Sequence, residues 1–339
     1  MGARGIPPPP RWARKTLYAA WPAVGFVLSG LGAPVVVTGA FLAGVDKKAK
    51  LFRVSSLATM LLWVDITMLV KCWRLQAASP DGASPTWRRD HERVFVDALD
   101  TGMHLAQRWV GLEVRLADRM HFGAHDAPLI ALARHAGPGD SVAIPWVLAR
   151  TAGRLPRIVL AEALRWDPGV NTIVTSLGGF FVPAQSGPNG DRLDGVRRLA
   201  ASLHPDDVLL LFPEGENWTP TRRSKIITKL RERGERLRAA RAESLRYVLP
   251  PKSRGAWAAH EARPDADIMI VAHVGLGMLT SPKLVFDAVP FQNRPLEIKT
   301  WTYAAADVPD EEVAFTAWLE DRWVEVDAWI AEQKSEQGS

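Results

Sequence analysis

The sequence predicts an α/β fold: a largely parallel central sheet with flanking helices, preceded by an N-terminal hydrophobic two-helix membrane motif. Two observations carry this. From residue 91 onward, short apolar runs of strand length alternate with longer helical stretches, the order that builds parallel sheets. Ahead of them stand two long apolar segments, the first thirty residues without a charge. With 339 residues, 47% of them hydrophobic, the chain has ample material for a core.

Residues 1–15 form a Pro-rich tail with a basic cluster at Arg11, Arg14 and Lys15. Residues 16–45 then exceed the roughly 20 residues needed to cross a bilayer, and exceed the apolar region of a signal peptide. A basic hinge, "DKKAK" with Arg53, leads into 54–70, broken only by Asp65 and closed by Lys71 and Arg74. Residues 16–74 are therefore read as a membrane-embedded helical hairpin; the alternative is a buried hairpin of a soluble protein. Lys47, Lys48 and Lys50 would be out of place on the far side of a membrane. A hairpin dipping into one leaflet, with its basic residues and the following domain on the cytoplasmic face, suits them better. Pro22 and Pro34 permit a bend. The fourteen tryptophans suit a membrane interface, a core or a binding groove alike.

Residues 75–90, containing "AASPDGASPTWRRD", read as a linker. The domain that follows, 91–305, opens with a helix over about 91–109. Strands are expected at 128–134, 157–161, 180–182, 207–212, 268–274, 283–289 and 296–303. Helices are expected between them, at about 141–151, 169–177, 190–203 and 224–245. Residues 306–339 form a C-terminal amphipathic helix, with Phe315, Trp318, Leu319, Val326, Trp329 and Ile330 near one face. It reads as a helix closing over the core, with a membrane-surface helix as the alternative.

The net charge of +5 is modest but uneven, because residues 222–254 hold twelve Lys/Arg against three Glu. Such a surface suits anionic headgroups or a phosphorylated co-substrate, and a solvated helical face would look the same. No recognised nucleic-acid motif accompanies it, so no nucleic-acid partner is expected. A single cysteine, Cys72, excludes an internal disulfide and a cysteine-based zinc cluster. The sequence has no G-x-S-x-G elbow, Walker loop or H-E-x-x-H pair. His121 and His125 stand four apart without an obvious third ligand, and no metal site is expected.

Two stretches carry chemistry. In "LIALARHAGPGDSVAIPWVLA", an apolar strand ends at His135, and Asp140 opens the next helix. At the carboxyl end of a sheet strand, Asp140 could accept from one imidazole nitrogen and leave the other free as a general base. The spacing alone does not separate such a pair from two polar residues flanking a loop, since His121 and Asp126 share it. In "DVLLLFPEGENW", a hydrophobic strand ends in Pro213–Glu214–Gly215, which places a carboxylate beside a glycine at a second strand end.

Taken together and in order, His135-x4-Asp140, "RIVLAEALRWDPG", "LGGFFV" and "LLLFPEG" resemble the glycerolipid acyltransferase family, whose best-known members are the 1-acylglycerol-3-phosphate acyltransferases. The later "RYVLPPKSRG" is similar to a segment of its lysophospholipid members. The resemblance implies transfer of a fatty acyl group from acyl-CoA or acyl carrier protein to a hydroxyl of a lysophospholipid-like acceptor. His135 would be the general base, oriented by Asp140. Glu214, Gly215, Gly179, Phe181, Arg222 and Arg223 would bind substrate, with no metal or redox cofactor. Its implied partners are acyl-CoA, a lysolipid acceptor and an anionic membrane surface.

Departures from the family pattern bear on the acceptor. Ala184 closes the "GGFFVPA" stretch, and Glu216–Asn217 follow "PEG", where phosphate-binding arginines are usual. Arg192, Arg222 or Arg223 could replace them. The proline of the later "VP" strand motif is missing from "IMIVAHVGL", where His273 follows Ala272. A catalytically inactive relative that binds acyl-CoA or lipid, and a hydrolase using water as acceptor, are the alternative readings.

Overall fold

The computed structural model describes residues 9–42, 45–118, 127–137, 139–183, 190–275, 282–291 and 294–337. In chain order, three helices come first: α1 (Arg11–Leu42), α2 (Val45–Ala78) and α3 (Trp87–Val110). Then follow β1 (Val114–Leu116), β2 (Leu129–Ala133), α4 (Asp140–Thr151), β3 (Leu155–Ala161), α5 (Pro168–Ser176), β4 (Phe180–Val182) and α6 (Gly190–Ala201). Next are β5 (Asp207–Leu211), α7 (Pro220–Glu232), α8 (Arg236–Ser244), α9 (Ser253–Ala262) and β6 (Asp267–Val274). The chain closes with α10 (Pro282–Ala288), β7 (Leu296–Tyr303) and α11 (Glu312–Gln337). The fold is the expected α/β type, with flanking helices and mostly parallel strand pairs.

Two compact units emerge, and they cut across the linear boundaries read from the sequence. The first comprises Met1–Glu113, Arg157–Arg192 and Phe286–Arg294; the second comprises Val114–Pro156, Leu193–Val285 and Pro295–Ser339.

In the first unit, α1 and α2 run antiparallel. Gly25 permits a close approach, since a Cβ there would stand 2.2 Å from Ile66 Cδ1. Asp65, the acidic interruption of the second apolar run, accepts a hydrogen bond from Trp21 Nε1 at 2.7 Å. Trp63 Nε1 donates to Ser29 Oγ at 3.1 Å. Residues 46–50, expected as a hinge, instead form the first turns of α2, and α1 runs through Pro22 and Pro34 without ending. The far end of α2 is packed by α3 and α5, with Leu69 and Cys72 fully buried. Farther from that end, Phe26, Leu28 and Leu31 of α1 and Phe52 and Trp63 of α2 lie exposed. Residues 49–78 are long and apolar enough to cross a membrane. Strands β3 and β4 pair in parallel in this unit, Val159 opposite Phe180.

In the second unit the strands run in the order β1-β7-β6-β2-β5. β2 is central and wholly buried, and it pairs in parallel with β5 and β6. The β6–β7 pair alone is antiparallel among these. Helix α11 lays Phe315, Leu319, Trp323, Val326 and Ile330, all fully buried, over the core, as a closing helix should.

Three further expectations change. Residues 283–289, expected as a strand, lie in α10: Pro282 opens the helix and Pro290 follows it, and a short apolar run cannot choose between helix and strand by itself. The helix expected over 224–245 is two, α7 and α8, broken at Gly234 with φ +75°. β1 and α9 were not anticipated. β1 is only three residues long, and α9 is half alanine and glycine, so neither shows strong periodicity.

Candidate active site

The carboxyl ends of β2, β5 and β6 meet on one edge of the second unit's sheet, because the three strands are parallel neighbours. The chain leaving β2 carries Arg134 and His135; the chain leaving β5 carries Phe212 to Gly215; β6 carries His273 near its end.

His135 and Asp140 come together. His135 Nδ1 lies 3.1 Å from Asp140 Oδ2, and the same oxygen accepts the backbone N–H groups of Ala136 at 2.5 Å and Gly137 at 3.0 Å. Those two N–H groups turn the chain after His135 toward the carboxylate. Asp140 is fully buried while the His135 side chain is 19% exposed. Burial opposes ionisation of Asp140, but attraction to His273 and the hydrogen bonds from His135, His273 and Gly137 outweigh it. Its carboxyl is held well below the usual carboxylate range. With the Asp140 carboxylate facing it, Nδ1 carries the hydrogen. His135 Nε2 has no hydrogen-bond partner among the described residues. The ring stacks on Phe212, centroids 4.5 Å apart.

Glu214 is buried rather than facing an open site. Its Oε1 accepts the His135 N–H at 3.0 Å, and its Oε2 accepts the Leu249 N–H at 2.8 Å. Burial pushes the carboxyl up to about 7, against the pull of Arg134 and the two N–H donors. Gly215 closes a tight turn through its N–H to Phe212 O and has φ +71°, a conformation that favours glycine. A Cβ at this position would come within 2.8 Å of Lys252 Nζ. The Lys252 ammonium thus rests against the loop, without an ion-pair partner among the described residues.

Several groups invisible as a motif support these. Arg134 is buried, donating from Nη1 to His273 O at 2.7 Å and from Nη2 to Tyr247 O at 2.9 Å. Asp327 of α11 accepts the three consecutive N–H groups of Arg246, Tyr247 and Val248, between 2.6 and 3.2 Å. The segment 246–249 is therefore gripped by Asp327, Arg134 and Glu214 together.

The remaining candidates divide. Arg222 Nε lies 3.5 Å from Glu216 Oε2, and its Nη1 donates to Asn217 O at 2.9 Å, so this guanidinium is drawn back to the loop after Gly215. Arg223 is committed to the carbonyls of Leu245 and Glu243. Gly179 and Phe181 belong to the first unit. Gly179 packs against Val174, and buried Phe181 lies under the Arg165 guanidinium at 4.2 Å. Arg192, also of that unit, donates to Pro183 O at 2.7 Å. Ala184, His121, His125 and Asp126 lie outside the described residues. Among the described residues, no cluster of three or more His, Cys, Asp or Glu is placed to share a metal ion.

Comparison with known families finds one similarity. Residues 113–273, which contain all of His135, Asp140, Glu214 and His273, match the acyltransferase family model. Over that stretch the chain is similar to acyltransferases. None of the curated proteins compared matches it. Among solved structures, the crystal structure of the 1-acyl-sn-glycerophosphate (LPA) acyltransferase PlsC from Thermotoga maritima aligns over 96% of this chain and 97% of that one. The identity is 16% and the TM-score 0.45.

Proposed function

We propose that the protein is a membrane-attached O-acyltransferase that moves a fatty acyl group from an acyl thioester, acyl-CoA or acyl carrier protein, to a hydroxyl of a lysophospholipid-like acceptor. The observation that carries this reading is the His135–Asp140 pair at the end of β2, with Nδ1 held by a buried carboxylate and Nε2 without a partner among the described residues. His135 Nε2 takes the acceptor's hydroxyl proton as the oxygen attacks the thioester carbonyl. The tetrahedral intermediate then collapses: the carbon–sulfur bond breaks, and the thiolate leaves with the proton that His135 returns. Asp140 stabilises the imidazolium between these steps. The N–H groups of Ala136 and Gly137 serve Asp140, so positive potential for the oxyanion comes from the N-terminal end of α4, which begins at Asp140. None of these steps draws on a metal or redox cofactor.

Membrane attachment is supported by the exposed apolar faces of α1 and α2, a patch of the kind that a soluble surface rarely leaves open. A phosphate-bearing acceptor is supported by Lys252 and Arg222, two cations held at the loop that follows Glu214. The basic helices α7 and α8 pair partly within the chain, Arg231 with Glu243, Arg238 with Glu235 and Arg241 with Glu320. Lys225, Lys229 and Arg236 of these helices lie exposed, as contact with the cytoplasmic leaflet requires.

The test is thiol release from palmitoyl-CoA by the detergent-solubilised protein across a lysolipid panel, with products read by mass spectrometry and His135→Ala as control. A new acylated lipid made by wild type alone supports the proposal. Undiminished turnover by His135→Ala, or free fatty acid as the only product, overturns it.

A further inference from the structure

Strand β6 ends in a residue that the reaction scheme above does not use. We propose that His273 is a positioning residue for acyl transfer, acting on His135 through the Arg134 carbonyl and Asp140; this rests on the reading of His135 as the base. His273 is fully buried beside β2, where Ala133 pairs with Val271. Its Nε2 faces two oxygens, Arg134 O at 3.1 Å and Asp140 Oδ2 at 3.4 Å. A backbone carbonyl and an ionised carboxylate only accept, so Nε2 is the donor to both.

The peptide linking Arg134 to His135 is consequently gripped from both sides. His273 holds its C=O, and Glu214 holds its N–H at 3.0 Å. The grip is reciprocal, because the Arg134 guanidinium returns to the His273 carbonyl at 2.7 Å while the Arg134 N–H bonds Val271 O at 2.9 Å. A fixed peptide plane fixes the direction in which His135 leaves the backbone. Asp140 and Phe212 then fix the ring itself. The same Nε2 adds a fourth donor to Asp140 Oδ2, after His135, Ala136 and Gly137, so one side chain restrains both members of the pair.

Burial makes an idle role a poor explanation. Among the described residues His273 Nδ1 has no hydrogen-bond partner, and a buried nitrogen in that state costs stability that an apolar side chain would not incur. A site concerned only with packing the end of β6 has no need of that nitrogen. What an apolar residue would lose is the Nε2–H donor, and with it the hold on the peptide before the base.

The experiment compares His273→Leu, which removes the donor, with His273→Gln, whose amide nitrogen reaches the position of Nε2. Small misplacements of a reacting group cost up to about 10²-fold. His273→Leu should therefore lower kcat roughly 10- to 100-fold with KM for either substrate within about threefold, and His273→Gln should recover most of it. Proton NMR of histidine-labelled protein supplies a readout independent of turnover. The low-field Nδ1–H signal of His135, sharp in wild type, should broaden in His273→Leu and return in His273→Gln. Wild-type kcat and an unchanged Nδ1–H signal in His273→Leu would overturn the inference. So would a His273→Gln variant that melts like wild type yet is as impaired as His273→Leu by both readouts. If wild type turns over no acceptor, the proposed function falls, and the Nδ1–H signal still decides whether His273 positions the ring.

Discussion

Replacing Asp140 by Asn tests the pair most directly. The substitution keeps the size of the side chain and removes its charge. In the proposed reaction His135 is protonated at the transition state, 3.1 Å from Asp140 Oδ2. At that distance, with an effective dielectric of about 20, the attraction is about 5 kcal/mol. Solvent reaches part of the ring, which is 19% exposed, so the working figure is smaller, about 3–4 kcal/mol. That corresponds to roughly 10²–10³-fold in kcat. His135 Nδ1 and the N–H groups of Ala136 and Gly137 all converge on Oδ2, so the amide oxygen can keep that place while the NH2 group takes the position of Oδ1, and the lost charge is what the variant reads. The assay is initial-rate thiol release at saturating acyl-CoA, on Asp140→Asn, His135→Ala and the double variant. Because Asp140 is argued to act through His135, the double variant should be no slower than His135→Ala. A loss below about tenfold in Asp140→Asn would refute the reasoning. So would an undiminished further loss when it is added to His135→Ala.

Three other outcomes are expected. The folded value of about 7 for Glu214 lies above its ordinary 4.5, so the folded state holds this proton longer than the unfolded chain. The associated stability is complete below about pH 4.5 and falls by about 3 kcal/mol as pH rises through 7. Denaturation at pH 5 and pH 8 should show wild type losing ground to Glu214→Gln; a gap that moves the other way means that Arg134 prevails over burial. Lys252→Met should raise KM for a lysophospholipid acceptor roughly fivefold, a loss of about 1 kcal/mol, and leave kcat near wild type. An equal effect with an uncharged acceptor would remove the phosphate from its role. Replacing Phe26, Leu28 and Leu31 together by Ser should cut co-sedimentation with anionic vesicles at least tenfold, since burying each such side chain is worth about 1.5–3 kcal/mol. This is a cleaner test than deleting the first 75 residues, which would also uncover the α3 and α5 surfaces that bury Leu69 and Cys72; unchanged sedimentation would locate the attachment elsewhere.

What the sequence revealed is local and periodic. β2 and β5 are unbroken apolar runs, so their ends, and with them His135 and Glu214, could be placed before any coordinates. Asp140 is five residues from His135, within reach of a single turn, and the pairing was readable as a possibility. Its partners were not. The Leu249 N–H that receives Glu214 is a backbone group and leaves no trace in residue identity. Arg134 adjoins His135 in the chain, yet nothing in a lone arginine announces that it will be buried and bonded to carbonyls far along the sequence. His273 was visible only as an oddity, because the oxygen it serves lies 139 positions earlier. The same limit explains α10: seven apolar-rich residues fit either period, and the flanking prolines, not the run itself, settle the matter.

Asp327 gives the site an order of assembly. The ribosome delivers α1 and α2 first, β2 with its histidine next, and α11 last of the described elements. Until Asp327 arrives, the N–H groups of residues 246–248 have no carboxylate to gather them, and the segment is left to Arg134 and Glu214 alone. If the first two helices take the chain to a membrane, they do so while the catalytic apparatus is still incomplete. Acyl transfer would then begin only after the enzyme has reached the surface that carries its substrates, a delay written into the sequence of synthesis and needing no separate inhibitor.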